Sequence, residues 1–185
     1  MLDRKSKRLV IDASVAGRQN SSKCLEFLYA VLKICHHAFM TPALLEEWNN
    51  HQTWRTAKWR VQMVSRKKWH VGSGQPDDAI RDKLHKQIDA DFGRTRYKTA
   101  LHKDLHLIYA ALESGDGIIV SCDKIGSRFA RLAQNVGEIA HLVWVDPEEE
   151  DLHDWLEKGA QSEKSRTLKQ KGIVSGHVSE GGRTR

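Results

Sequence analysis

Two short apolar runs in the chain end on a carboxylate: RLVIDAS at residues 8–14 and GIIVSCDK at 117–124. Each is apolar and β-branched for three or four positions, then meets Asp12 or, after Ser121 and Cys122, Asp123. A strand that is apolar at consecutive positions has no face left for water, so both of its faces must be covered. That is the pattern of a parallel sheet between layers of helices, in which ligand chemistry gathers beyond the carboxyl ends of the strands. Acids at two such ends therefore constrain the fold and the site together.

The rest of the chain alternates in the same way. Ser22 is the expected N-cap of a helix whose stripe is Leu25, Leu28, Leu32 and Cys35. A short strand near Ala38–Met40 runs into Thr41–Pro42, an N-cap followed by proline at the first helical position. Helical character extends from there to about residue 69, and GSGQP at 72–76 breaks it. Helices follow over 77–89, about 99–114 and about 127–135, with a last strand at 141–145 (HLVWV). The expectation is one α/β domain over 1–157, a three-layer α/β/α unit with a mostly parallel sheet. Residues 158–185 have no aromatic side chain and no apolar period, and read as a basic, disordered tail.

Charge sharpens this division. Of the net +6, the stretch from Lys158 to Arg185 contributes +5, with seven Lys/Arg against two acids. Within the domain, residues 55–68 carry six Lys/Arg and no acid, whereas 146–157 carry seven acids and no Lys/Arg. A basic flank beside an acidic one suits a polyanion better than a neutral ligand. No run reaches the ~18–20 apolar residues of a membrane span. The charged N-terminus reads as no secretory signal, and the three cysteines form no CxxC pair. Both features point to a cytoplasmic setting.

Two further acidic positions accompany Asp12 and Asp123. At about 100° per residue, Leu101, Leu105, Ile108 and Leu112 share one helical face, and Asp104 falls about 60° from its centre. A carboxylate there is either a buried ion pair or a site residue, because burial demands compensation. His102 and His106 fall on the other side and read as solvated. Glu46 and Glu47 follow Leu44–Leu45 in the helix opened by Thr41–Pro42. Acids early in a helix also favour its dipole, and an Asp after a strand also caps turns. As a group, the four positions describe one acidic cleft, whose repulsion a hard divalent cation relieves.

VIDAS, TPALLEEW, KDLHLIYAAL and IIVSCDK, in this order, resemble the motifs of the PIN-domain nucleases over roughly residues 8–146. The resemblance implies a Mg²⁺- or Mn²⁺-dependent endoribonuclease with Asp12, Glu47, Asp104 and Asp123 as metal-holding, catalytic acids. Glu46 stands in for Glu47 after a one-residue shift. Ser121 matches a small hydroxyl position that orients a carboxylate or a water. The aromatic after Asp123 lies farther off than in compact members, at Phe129. The resemblance includes the toxin nucleases of bacterial toxin–antitoxin pairs, which implies an antitoxin protein and a homodimer as partners besides RNA. The non-enzymatic alternative is a catalytically silent PIN fold that binds nucleic acid or protein. VIDAS lacks the DxD of haloacid-dehalogenase phosphatases and the paired acids of receiver domains.

Substrate contact is expected on the basic stretch. Arg55, Lys58, Arg60, Arg66, Lys67 and Lys68 alternate with Trp54, Trp59 and Trp69. Cations would hold phosphates and exposed indoles would stack on bases, or else the tryptophans belong to the core.

Overall fold

The computed structural model describes residues 6–18, 21–93 and 96–177. The strands are β1 (Arg8–Ile11), β2 (His37–Met40), β3 (Trp69–Val71), β4 (Ile118–Val120) and β5 (Val143–Val145). They form one sheet in the order β3-β2-β1-β4-β5, and every pairing is parallel. β1 is central, with Leu9 opposite Ala38 on one side and Ile118 on the other. Leu9, Val10, Ile11, Ile118, Ile119 and Val120 are fully buried. Helices cover both faces and make the expected three-layer α/β/α domain.

The chain runs outward from β1 to β2 and β3, then returns to β4 on the other side of β1. The gap between the carboxyl ends of β1 and β4 is therefore the point where strand order reverses, the usual crevice of a doubly wound sheet. α6 (Arg96–Ser114) packs along β1, β2 and β4. α2 (Ser22–Lys33) packs with α4 (Trp54–Ser65) and α8 (His153–Glu157). No helix among the described residues is long and apolar enough to cross a membrane.

Three departures from the sequence reading have local causes. Ser21, not Ser22, caps α2, its hydroxyl accepting from Cys24 N–H at 3.2 Å. The helical stretch expected to about residue 69 is broken into two helices, α3 (Pro42–His51) and α4, and its end belongs to the strand β3. Lys67, at φ 57°, turns the chain between α4 and β3. A three-residue edge strand leaves no periodicity for a sequence to display.

The largest departure is the tail. Residues 158–177 are ordered on the domain, with a 3₁₀ turn at Lys164–Arg166 and then α9 (Leu168–His177). Leu168 is fully buried, and its N–H donates to Leu142 O at 2.8 Å. α9 packs on α7 (Gly126–Leu132) at Gly172, where a Cβ would lie 2.4 Å from Ala130 O. Leu168 and Ala160 are buried, Gln134 Nε2 donates to Lys169 O at 2.8 Å and Arg166 pairs with Glu150, contacts too scattered along the segment for an apolar period to announce it. Residues 178–185 of the expected tail lie outside the described residues.

Candidate active site

Asp12 follows β1, and its N–H continues the sheet ladder to Val120 O at 2.9 Å. It occupies the N-cap position of α1 (Ala13–Gly17), yet its side chain makes no capping bond. Instead Oδ2 accepts two hydroxyls, from Ser14 and, at 2.7 Å, from Ser121. Asp12 is only 7% exposed, so these bonds offset desolvation and fix the carboxylate in one orientation. Ser14 Oγ in turn accepts Cys122 N–H at 3.0 Å, and Ser121 Oγ accepts Asp123 N–H at 3.0 Å. The ends of β1 and β4 are thus knitted into one polar network, in which Ser121 bonds the Asp12 carboxylate. Asp123 is exposed and does serve its own turn, with Oδ1 accepting Ile125 N–H at 3.0 Å.

Glu47 is aimed by its neighbour. Trp48 is fully buried and donates from its indole to Ile11 O at 2.8 Å, which anchors α3 to the end of β1. Glu47 then lines the same cavity as Asp12, whereas Glu46 is exposed and does not. From α6, Lys103 Nζ lies 3.5 Å from Glu47 Oε1 and His106 Nε2 lies 3.2 Å from Oε2. His106 is therefore no solvated residue, being 14% exposed at its side chain. His102 also departs from the reading: it stacks on His85 and meets Asp89 Oδ1 at 3.1 Å.

Asp12, Glu47, Asp104 and Asp123 line one cavity of about 330 Å³, together with Ser14, Arg18, His51 and Lys103. Burial first, and then the charges of Asp123 and Asp12, push the Asp104 carboxyl up to about 6, against the pull of Lys103 and His106. A carboxyl raised in this way reports negative charge crowded into a partly dry site. A larger cavity, about 580 Å³ between α2 and the segment around 147–153, shares no residue with this one.

The four acids surround the cavity without closing on its centre. Among the described residues, the trios with ligand atoms within 4.8 Å of one another are Cys122–Asp146–Glu148 and the exposed His153–Asp154–Glu157. In the first trio Glu148 is already held by Arg18 at 2.6 Å, and Asp146 by Glu148 N–H at 2.9 Å and Lys124 at 3.6 Å. The four cavity acids are an all-oxygen donor set. Their wider spacing suits a hard ion that keeps several waters.

None of the six cations expected on the nucleic-acid path lines this cavity. Lys68 Nζ donates to Val31 O at 2.6 Å, Leu32 O at 3.0 Å and Ile34 O, closing the end of α2. Arg60 bonds Asn49 Oδ1 at 2.8 Å and lies over the Trp69 ring. Arg55, Lys58 and Lys67 are exposed. Trp59 is buried and donates to Leu28 O at 2.6 Å, whereas Trp54 is 72% exposed beneath Arg55. Sequence reasoning missed the cations that do line the cavity, Arg18 and Lys103. Lys103 adjoins Asp104, and Arg18 stands four residues beyond Ser14, one turn on. Ser14 itself was visible in VIDAS. No family model matches the chain, and no curated protein matches it.

Proposed function

We propose that the protein is a PIN-type nuclease that hydrolyses RNA phosphodiester bonds with Mg²⁺ or Mn²⁺. The observation that carries this reading is the convergence of Asp12, Glu47, Asp104 and Asp123, from four separate elements, on one cavity at the β1/β4 crevice. The donor chemistry fits the group: carboxylates only, with Asp104 raised to about 6 by burial first and then by the charges of Asp123 and Asp12. Asp12, Asp104, Asp123 and Glu47 would hold the ion. Bound there, it would lower the pKa of a coordinated water and neutralise charge on the leaving oxygen.

The chain's own residues do the rest. Ser14 and Ser121 hold Asp12 through Oδ2, so Oδ1 carries neither of these bonds. Asp104 retains a proton until about pH 6 and must release it for the site to reach full negative charge. Arg18 and Lys103 stand at the rim, where a substrate phosphate would meet two cations. RNA as the substrate, and a toxin paired with an antitoxin protein and acting as a homodimer, follow the motif resemblance.

The test is cleavage of a labelled structured RNA pool with Mn²⁺ or Mg²⁺, set against EDTA and against Asp104→Asn. Loss of one ion-holding carboxylate removes several kcal/mol of transition-state stabilisation, roughly a thousandfold in rate. If a folded, RNA-binding preparation fails to cut with either ion, the chain is a binding module and the four acids are structural.

A further inference from the structure

Directly behind the Asp12 network lies a pair of cysteines that the proposed chemistry leaves unused. Cys24 Sγ and Cys122 Sγ are 3.4 Å apart, and both residues are buried. They come from distant parts of the chain: Cys24 from the first turn of α2, Cys122 from between Ser121 and Asp123. A disulfide needs the sulfurs at about 2.05 Å, so closure requires an approach of only about 1.4 Å. We propose that Cys24 and Cys122 are a reversible oxidation site, whose intramolecular disulfide loosens the hydroxyl cradle of Asp12.

The two thiols are not equivalent. The Cys122 thiol, followed by the Ser21 hydroxyl, holds Cys24 below the ordinary thiol range, against the opposing effect of burial. The Cys122 sulfur lies within 4.8 Å of carboxylate oxygens of Asp146 and Glu148. Cys24 is therefore the attacking sulfur. Burial admits a small oxidant such as a peroxide more readily than a bulky disulfide. The Cys24 thiolate attacks one peroxide oxygen, the O–O bond breaks and hydroxide leaves, giving the sulfenic acid; the proton that Cys24 gave up on ionising turns that hydroxide into the first water. Cys122 sulfur then attacks Cys24 sulfur, the S–O bond breaks, and the departing hydroxide takes the Cys122 proton as a second water. The two sulfurs together supply the two electrons that reduce the peroxide, and a dithiol reductant reverses the change.

Coupling to the site runs through the backbone of Cys122. Its N–H bonds Ser14 Oγ at 3.0 Å, and its carbonyl accepts from Arg18 at 3.4 Å. Ser14 is one of the two hydroxyls on Asp12. Drawing Cys122 toward α2 therefore shifts a partner of Asp12 and the residue preceding Asp123. The oxidation site is independent of the nuclease reading, whereas its effect on metal binding rests on that reading.

The full-length protein would be reduced, exposed to hydrogen peroxide, alkylated, digested without reductant and mapped by mass spectrometry. The expected product is a Cys24–Cys122 linked peptide in the wild type and in Cys35→Ser, lost on reduction and absent from Cys24→Ser and Cys24→Ala. Alkylated Cys24 and Cys122 in protein already oxidised at Cys35, or linkage through Cys35, would overturn the proposal. Amide exchange at Cys122 and Asp123 should quicken in the linked form, and unchanged exchange would remove the coupling. Mn²⁺ affinity should fall about tenfold on oxidation, as for loss of an outer partner of a ligand, with no change in Cys24→Ser. If the reduced protein binds no Mn²⁺, the metal reading fails, and the peptide map and exchange rates still decide the switch.

Discussion

Two regions of the domain concentrate charge, and they handle it in opposite ways. At the carboxyl ends of β1 and β4, acids meet hydroxyls and one another, and Asp104 is left holding a raised carboxyl. Along α4 and into β3, cations are engaged by the fold itself: Lys68 by three carbonyls, Arg60 by Asn49 and the Trp69 face. The difference is geometric. Long Lys and Arg side chains reach the unpaired carbonyls of a helix end, so a basic run is easily absorbed into structure. Short carboxylates at adjacent parallel strand ends share one crevice and cannot all find cations, so their charge stays available for a ligand. Sign and density of charge are thus poorer guides to a site than the element on which the charge stands.

The sharpest break of this comparison uses neighbouring acids on one helix. Glu47→Gln should lower metal-dependent cleavage roughly a hundredfold or more, because it removes a carboxylate from the cavity. Glu46→Gln should leave the rate within about twofold, since surface changes away from such features are nearly neutral. Equal losses from both would show that α3 sits a residue away from the register described above.

The basic region predicts the converse, a stability effect with no catalytic one. Lys68→Met strands the carbonyls of Val31 and Ile34, leaves Leu32 O to Arg66 alone, and should cost about 2–3 kcal/mol, read as a lowered denaturation midpoint. Exposed Arg55→Ala and Lys58→Ala should stay within about 0.5 kcal/mol of the parent. If Lys68→Met instead weakens RNA binding at unchanged stability, the Lys68 contacts with α2 are dispensable and the basic run is a nucleic-acid face after all.

The same contrast explains what the sequence disclosed. Asp12, Asp123 and the parallel sheet were legible because a continuous apolar run ending in a carboxylate reports burial and position at once. Helical phase put Asp104 at the edge of a buried face without choosing between ion pair and site, and Glu47 was singled out only by the motif resemblance. β3 was not, being three residues at an edge, and neither was α9, which Leu168, the Gly172 contact and a hydrogen bond from Gln134 hold in place without an apolar stripe. The partners of Lys68 lie 34 to 37 residues back along the chain. Long-range capping of that kind has no local pattern. Cys24 and Cys122 escaped for a related reason, since their pairing exists only once α2 and β4 are packed.

The smallest effect tests the crowding of the acids directly. Asp104 ordinarily loses its proton near 3.8 and in the folded protein loses it at about 6. Between these values the folded chain binds the proton more tightly than the unfolded chain, so stability is greatest below about 4 and falls as pH rises to about 6. Asp104 is partly open to solvent, which limits the loss to the order of 1 kcal/mol. Mn²⁺ should reverse the trend above pH 6, because ion binding to the deprotonated carboxylate stabilises the folded state by mass action. Asp104→Asn should flatten both profiles in denaturant titrations run from pH 4 to 7. A wild-type profile that is flat without metal would mean that neither burial nor the charges of Asp123 and Asp12 hold the Asp104 proton. The strand-end acids would then be as fully absorbed by the fold as Lys68 is.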